Sequence, residues 1–367
     1  MELKNATKMN AAYTMGMDPS GRESLVIVIK ATYSFPETGY DLKLAEEQLP
    51  LVESDTFSGE PGLSAPIYES DYAPIKPYCD VLFHGKAYAP EKKPISSLQV
   101  RLTVGPIDKS FNVVGHRKWY KTMLVAGTIK PDRFISMPIS YDNAFGGIDN
   151  THTDESKHTG FTPNPAGAGF SKYRMELEGM PLPNTEEIGQ PIIRPGGKYK
   201  PMSFGPVGRG WTPRSKLGGT YDDNWLDNIF PFLPPDFDNR YFQAAPFDQQ
   251  MHYPRGGEVV SLKNLTPNGF YQFRLPKMDI PVEFSLKNYE KVHHQAVVDT
   301  IYIEPEEKRV TMIARTSLPL KKDMFEVNQV IVGKMSRAWY RARDLGKEYY
   351  PSLNALAKSK KAEAEDA

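Results

Sequence analysis

The chain has 367 residues, which is enough for two domains or for one large β domain. Its 45 basic and 45 acidic residues cancel, so no net electric field attracts nucleic acid or anionic lipid, and either role would require a local patch. Hydrophobic residues make up 40% of the chain and charged residues 25%, proportions that are ordinary for a soluble globular protein.

The single cysteine, Cys79, excludes an internal disulfide framework and suits a reducing compartment. The N-terminal segment lacks the apolar core of a secretory signal, and no window approaches 18 consecutive apolar residues. We therefore expect a cytoplasmic protein without membrane insertion and without a nucleic-acid partner.

The N-terminal third is predicted to consist mainly of strands. Leu25–Phe35 is β-branched and aromatic and is bounded by turn residues, which is typical of a buried strand. Leu98–Val104 alternates apolar and polar side chains, as a half-buried strand requires. The turn Gly105–Asp108 leads into Phe111–Val114, and this arrangement predicts a hairpin.

Between these strands, residues 71–90 begin as a proline-broken polar loop and become a strand at Asp80. Lys76 precedes a proline, which favours an extended backbone, so Lys76 and Asp80 flank a stiff turn. We predict that these two side chains fix the loop, by pairing with each other or by binding backbone groups. Their role would then be architectural support for a binding face.

From Tyr141 to Gln250 the composition changes to 13 prolines and 14 glycines in 110 residues, and no helical or strand period lasts long. A flexible linker would be similarly rich in glycine and proline, but it would lack the many aromatic residues of this segment. We predict long ordered loops that fold over a sheet, and loops of this length are usually functional.

Strands are predicted again in the C-terminal third. Ile280–Leu286 alternates, Ala296–Glu304 and Arg309–Leu318 flank a Pro-Glu-Glu turn and predict a hairpin, and Phe325–Val332 is predicted as the last strand. Ser336–Lys361 has few β-branched residues and predicts one or two loosely amphipathic helices.

The predicted organisation is therefore one β domain over residues 1–335, followed by a helical extension and a disordered tail over residues 336–367. Eight basic and two acidic residues lie between Lys334 and Lys361, which makes this extension the most concentrated positive patch of a neutral chain. It is predicted either to pack its aromatic residues back on the β domain or to act as a secondary docking arm.

Candidate catalytic and metal sites are few. The chain has neither a nucleophile-elbow motif nor a phosphate-binding loop. His152, Asp154 and His158 share one polar loop, but their spacing matches no standard zinc pattern and favours a solvated loop. Cys79 and His84 flank a turn, and a buried thiol is favoured there over a nucleophile.

Five aspartates near aromatic residues allow three interpretations. Paired carboxylates beside aromatic side chains occur in glycosidases and carbohydrate binders, and the same oxygens could bind calcium. Aspartates also cap turns in proline-rich loops, and this third interpretation is favoured. The residues are Asp222, Asp223, Asp227, Asp236 and Asp238.

Two glycine-containing blocks, Tyr141–Gly147 (YDNAFGG) and Asn164–Phe170 (NPAGAGF), most simply supply positive φ angles in tight turns. With residues 71–90, Leu217–Trp225 (LGGTYDDNW) and Phe232–Gln249 (FLPPDFDNRYFQAAPFDQ), they resemble the bacterial domain-of-unknown-function family 2169. The blocks occur in the family's order, and the resemblance extends from about Leu25 to Leu318.

The resemblance implies a non-catalytic adaptor or chaperone without a cofactor. Such a protein binds a type VI secretion effector, often one with a PAAR-like domain, and helps to load it onto the VgrG spike. The family's second glycine block commonly reads Asn-Pro-Val-Gly-Arg-Gly-Phe. Here Ala166 and Ala168 replace its Val and Arg, so a charge contact of that Arg is not implied for this chain.

We therefore expect a mainly β fold, a large loop-elaborated antiparallel β-sandwich or distorted barrel with a C-terminal helical extension. Two other functions stay open: a carbohydrate-active enzyme or lectin that uses Asp222–Asp238, and a permanent structural component of the secretion spike. Phe145, Trp211, Trp225 and Phe247 are candidate anchors for cargo. The predicted partner-binding or loop-organising residues are Lys76, Asp80, Phe145, Gly146, Gly147, Asn164, Trp211, Trp225, Phe247, Asp248 and Gln249.

Overall fold

The computed structural model describes residues 1–36, 39–121, 126–173, 177–350, 352–354, 356–357 and 361. Within this part of the chain the protein is mainly β, as predicted, and its two largest sheets have ten and five strands. The predicted tail at 362–367 lies outside the described residues.

The large sheet is nearly closed into a distorted barrel. The strands of its main path, in spatial order, are Glu2–Asn5, Val327–Val332, Ile280–Leu286, Lys291–Glu304, Arg309–Pro319, Glu23–Ser34 and Asn10–Met17. Three further strands pair at its side, namely Lys43–Leu44, Cys79–Phe83 and Gln250–Met251. The two end strands of the path are consecutive in the chain and contact each other, which brings the open edges together.

The second sheet packs against the large one through a shared apolar core. Its strands, in spatial order, are Thr185–Glu186, Ile107–Val114, Ser97–Val104, Val259–Lys263 and Phe270–Arg274. Leu98, Val100, Leu102 and Val104 are buried, as the alternation predicts. The predicted hairpin is confirmed, with Val104 opposite Ile107, so the turn contains only Gly105 and Pro106.

The remaining elements are short. Paired strands are Thr56–Phe57 with Pro66–Tyr68, Gly85–Tyr88 with Ser136–Ile139, Trp119–Lys121 with Ala126–Thr128, Phe145–Gly146 with Ala168–Gly169, and Ile148–Asp149 with Thr159–Gly160. The α-helices with defined bounds are Asp223–Asn228 and Arg337–Asp344, and the described residues 353–354, 356–357 and 361 are also helical. The 3-10 helices are Pro90–Lys92, Tyr141–Asn143, Glu155–Lys157, Arg214–Gly218, Asn239–Phe242, Phe247–Gln249 and Met324–Glu326.

The strand Glu23–Ser34 is buried on both faces, which explains its continuous apolar sequence. Leu25, Ile27 and Ile29 belong to the core shared by the two sheets. Val26 and Val28 face the opposite side, where they form a second cluster with side chains that include Ala244 and Ala245 of the loop region. The long loops are therefore the outer cover of the large sheet.

The other predicted strands are also found. Ile280–Leu286 agrees with its prediction, and Glu304 lies opposite Arg309 across the predicted hairpin turn. The last strand begins at Val327, two residues later than predicted, because a 3-10 turn precedes it. The helix Arg337–Asp344 confirms that the C-terminal segment contains a helix.

Candidate functional site

The Lys76–Asp80 pair lies buried beneath the loop region. Lys76 Nζ is 2.8 Å from Asp80 Oδ2 and 3.0 Å from Thr300 Oγ1, and both charged side chains are almost inaccessible to solvent. Asp80 lies on the strand Cys79–Phe83, which pairs with Thr300 on one side and with Gln250 on the other. Pairing with each other, one of the two arrangements predicted for these residues, is therefore found.

Asp80 also binds the loop that covers it. Its Oδ2 accepts a hydrogen bond from Ala244 N at 2.7 Å, and its Oδ1 accepts one from Gln243 Nε2 at 2.6 Å. Gln243 Oε1 in turn accepts a hydrogen bond from Tyr78 N at 3.0 Å. A carboxylate with this many donors is a strong attachment point, because each oxygen of the buried charge is satisfied.

A second attachment point involves Asp248 and Gln249. Gln249 Nε2 donates to Val81 O at 2.7 Å and to Phe204 O at 2.9 Å. Lys109 Nζ donates to Gln249 Oε1 at 2.7 Å and to Asp248 Oδ1 at 3.0 Å. A lysine of the second sheet therefore binds both of the predicted loop-organising residues Asp248 and Gln249.

Burial and charge pairing have opposing effects on the pKa values of this second attachment point. Burial lowers the pKa of Lys109 to about 8, because the loss of hydration destabilises the ammonium more than the Asp248 carboxylate stabilises it. Burial alone would raise the pKa of Asp248, but Lys109 and Lys200 reverse that effect and hold the pKa below its ordinary value. Lys200 Nζ lies 2.7 Å from Asp248 Oδ2.

The two glycine blocks pair with each other as short parallel strands. Asn164 is fully buried, and its Nδ2 donates to Tyr141 O at 2.8 Å and to Phe145 O at 3.2 Å. Gly146 and Gly147 adopt φ angles of 155° and 114°, and a Cβ atom on Gly146 would lie 2.0 Å from Asn164 O. Both the positive φ and the close backbone approach require glycine at position 146.

Two of the four candidate cargo anchors are buried, which corrects their predicted role as contact residues. Phe145 is fully buried in a loop cluster that also contains Trp119 and Phe170. Trp211 packs edge-to-face on Tyr141, with ring centroids 5.5 Å apart, in a cluster with Ala65 and Ala144. Both aromatic side chains organise the loops, because each packs against apolar partners from the loop region and from the preceding part of the chain.

The other two anchor candidates reach the surface. Trp225 is half-buried, and its Nε1 donates to Phe232 O at 2.9 Å. Phe247 is 80% exposed at the start of a 3-10 helix, next to the attached residues Asp248 and Gln249. Phe247 is thus a large apolar side chain held by a fixed backbone.

Two of the five clustered aspartates cap turns, and a third, Asp236, links two parts of the loop that are 16 residues apart. Asp222 Oδ1 accepts from Trp225 N at the start of the helix Asp223–Asn228, and Asp238 Oδ1 accepts from Arg240 N. Asp236 accepts from Thr220 N and Oγ1. Asp223 and Asp227 are exposed on the short helix. The geometry favours the turn-capping interpretation of these residues.

The polar loop that contains His152 and His158 is held by contacts among its own residues. His152 Nδ1 lies 2.9 Å from Asp154 N, and His158 Nε2 lies 2.9 Å from His152 O. Across the described ranges, no group of three or more His, Cys, Asp or Glu side chains is arranged to hold a metal ion. Cys79 is buried, as predicted, and burial raises the pKa of its thiol.

A cleft of about 890 Å³ opens between the loops, and we call it the loop cleft. Its walls are mainly apolar, and the charged residues along it are Lys198, Lys200, Arg214, Arg240 and Asp248. The other lining residues are Tyr141, Gly160, Phe161, Thr162, Pro163, Tyr199, Pro201, Val207, Thr212, Pro213, Leu217, Gln243, Ala245, Pro246, Phe247 and Gln250. Every lining residue belongs to the predicted loop region, and both attachment points supply part of the wall.

The model of a bacterial protein family, described as an uncharacterized protein conserved in bacteria (DUF2169), matches residues 20–315. The chain belongs to this family. Comparison with curated proteins finds no match, and comparison with solved structures finds none either.

The part of this DUF2169 protein that matches the family contains the loop cleft and both attachment points. The helix Arg337–Asp344 lies beyond it. Among the described residues, no helix has both the length and the apolar character that crossing a bilayer requires.

Among the described residues, four buried ion pairs of the DUF2169 protein were not predicted, and one of them joins Arg117 to Glu186, 69 residues along the chain. Glu69 binds Arg214 through both carboxylate oxygens, Lys30 binds Asp71 at 2.8 Å, and Asp299 binds Arg315. Burial raises the pKa of Asp299, although Arg315 and Lys76 oppose that effect. The partners in the other three pairs are 145, 41 and 16 residues apart, so no local pattern in the sequence connects them.

Proposed function

We propose that this protein is a non-catalytic adaptor of the bacterial cytoplasm. It binds a type VI secretion effector, including effectors with a PAAR-like domain, and helps to load that effector onto the VgrG spike. The sequence resemblance supports the type VI secretion role. The loop cleft is the structural observation that supports the binding of a partner.

The loop cleft has the features of a protein-binding groove. Its walls are apolar and aromatic, and charged side chains lie along it, which is the composition of an interface with an apolar centre and a polar rim. Phe247 is exposed while its neighbours Asp248 and Gln249 are held by Lys109. A large aromatic side chain on a fixed backbone loses little conformational entropy on binding, which is a common property of hot-spot residues.

An adaptor without nucleotide-driven motion must release its cargo by handing it to a competing partner. The chain has no phosphate-binding loop, which agrees with that mode of delivery. We therefore expect the VgrG spike to displace the adaptor from the effector, or to complete a surface that the two present together.

The proposal is tested by co-expressing the chain with the product of an adjacent effector gene and measuring hydrogen exchange with and without that product. Protection is expected within Tyr141–Gln250. The variant Phe247→Ser should weaken binding roughly ten- to hundredfold, because one buried phenyl ring contributes about 1.5–3 kcal/mol. Phe270→Ser is the matched control, since Phe270 is also exposed but does not line the cleft.

Three outcomes would contradict the proposal. Protection confined to the terminal strands would place the cargo elsewhere. Glycan hydrolysis or binding that is lost in Asp222→Asn or Asp227→Asn would favour the enzyme or lectin. Stoichiometric presence of the chain in secreted particles would favour a structural component of the spike.

A further inference from the structure

The segment Gly219–Asn239 differs from the rest of the chain in charge. It contains five aspartates and no lysine or arginine, although the whole protein has equal numbers of basic and acidic residues. We call this segment the acidic tip. No residue of the acidic tip lines the loop cleft, although Asp238 pairs with Arg240 of the cleft wall, so the tip is a neighbouring surface whose other four aspartates have no basic partner within the segment.

The acidic tip has a defined structure. Asp238 N donates to Leu217 O at 2.9 Å, and Thr220 N donates to Asp236 Oδ1 at 2.9 Å, which closes the base of the segment. Inside it, the Trp225 ring packs edge-to-face on Tyr221 and on Phe230, with centroids 4.7 and 5.6 Å apart. The shape of the tip is therefore held by its own contacts.

Apolar side chains of the acidic tip point outward. Four of them are between 44% and 62% exposed, although they lie within only 12 consecutive residues. These residues are Tyr221, Leu226, Phe230 and Phe232. Contiguous exposed apolar side chains on an ordered protein mark interaction sites more often than isolated ones do.

We propose that the acidic tip is a docking surface for a protein partner whose own surface is basic around an apolar centre. The carboxylates of Asp223 and Asp227 lie exposed on the same short helix as Leu226. Basic side chains around an apolar centre of the partner would complement these negative charges. The same charges oppose an anionic membrane and nucleic acid, which both present phosphates. This docking surface goes beyond the proposed cargo cleft and does not depend on it.

The test uses the full chain and a fluorescein-labelled 18-residue amphipathic helix of leucine and lysine as the probe. Binding is measured by fluorescence anisotropy at several salt concentrations. Leu226→Ser should weaken binding about tenfold, because a buried leucine contributes roughly 1.5–3 kcal/mol. The double variant Asp223→Asn/Asp227→Asn should weaken it about three- to tenfold at low salt and much less at 1 M salt, where the Debye length is about 3 Å.

Matched controls lie elsewhere on the surface. Phe270→Ser removes an exposed apolar side chain, and Glu46→Gln/Glu47→Gln removes two exposed charges. Neither control should change the affinity by more than about twofold, as expected for positions outside the interface. Circular dichroism of every variant should match the unchanged chain, since the substituted side chains are exposed.

The proposal is overturned if the tip variants bind the probe as tightly as the controls do. It is also overturned if vesicles containing phosphatidylglycerol bind the chain and release it on Leu226→Ser, because the surface would then serve a membrane. A third contradicting result is self-association of the chain that Leu226→Ser abolishes, which would assign the tip to a second copy.

Discussion

The large sheet and the loop region are held in different ways. The central strands of the sheet are buried on both faces by aliphatic side chains, as in Glu23–Ser34. The loop region Tyr141–Gln250 contributes apolar clusters of its own, but it is attached to the sheets by buried polar groups, among them Asp80, Lys109 and Gln249. Apolar packing therefore builds the core, and buried directional bonds act together with apolar contacts to hold the loops on the large sheet.

This difference matters for binding. Hydrogen bonds and ion pairs are directional, so they set the position of a loop more narrowly than non-directional apolar contact does. The attached residues Asp248 and Gln249 lie next to Phe247, whose ring remains exposed. Loops without long secondary structure can thus present a fixed surface, provided that their attachment points are fully satisfied.

The largest expected effect is the loss of one attachment point. Asp80→Ala should lower the free energy of unfolding by about 3–5 kcal/mol, because it leaves the Lys76 ammonium buried without its partner. Urea denaturation measures this change, and cargo binding should weaken in parallel, since Gln243 and Ala244 lose the carboxylate that holds them.

The exposed pair Arg101–Asp108 is the control for this experiment, because both of its side chains are half-exposed. Asp108→Ala should change the free energy of unfolding by less than about 1 kcal/mol. Equal losses in the two variants would show that burial does not distinguish the attachment points from ordinary surface pairs.

A somewhat smaller effect is expected where the glycine blocks meet. Gly146→Ala should lower the free energy of unfolding by about 2–4 kcal/mol, because the new methyl group would overlap Asn164 O at an unfavourable φ. Gly210→Ala is the control: no atom lies within 4 Å of its Cβ position, so the change should be within about 1 kcal/mol. Similar denaturation midpoints for the two variants would contradict the assigned close approach.

Acid should weaken the loop region through Asp149. Burial would raise the pKa of this carboxyl, but hydrogen bonds from Thr151, Ser171 and Tyr173 lower it to about 2, below its ordinary value of 3.8. The unfolded chain therefore binds more protons between these two values. The stabilisation by Asp149 is complete above about pH 4 and is lost as the pH falls toward 2.

Urea denaturation at several pH values between 2 and 5 measures this dependence. In Asp149→Asn the slope of the free energy of unfolding against pH should decrease by up to one proton, or about 1.4 kcal/mol per pH unit. An unchanged slope in Asp149→Asn would show that Asp149 does not cause the loss of stability in acid.

The smallest effect concerns the C-terminal helix. Trp339 is largely buried, and Lys4 Nζ lies 5.3 Å from the centre of its ring, so the helix packs on the first strand of the large sheet. Trp339→Ala should lower the free energy of unfolding by about 1–2 kcal/mol, and Leu345→Ala, at an exposed position, by less than about 0.5 kcal/mol. A chain that ends at Met335 with intact fold and weaker, less salt-sensitive cargo binding would instead identify the segment as a docking arm.

Local sequence patterns predicted the strands, because each pattern arises from the burial of the faces of a single strand. Alternation in Leu98–Val104 and the continuous apolar run in Leu25–Phe35 reflect which faces of each strand are buried, and each pattern is contained within one element. The pairing of Lys76 with Asp80 was predictable for the same reason, since four residues and one turn separate them.

Tertiary structure alone decided how the loops use their side chains. Phe145 and Phe247 are the same residue type in the same loop region, yet the first is fully buried and the second is 80% exposed. The difference depends on distant partners: Phe145 meets Trp119, whereas Phe247 follows a proline at the edge of the cleft. The ion pair between Glu69 and Arg214 also could not be predicted from a local sequence pattern, because 145 residues separate the two. Patterns of period two or 3.6 describe one element at a time, and the burial of a loop side chain depends on which other elements fold against it.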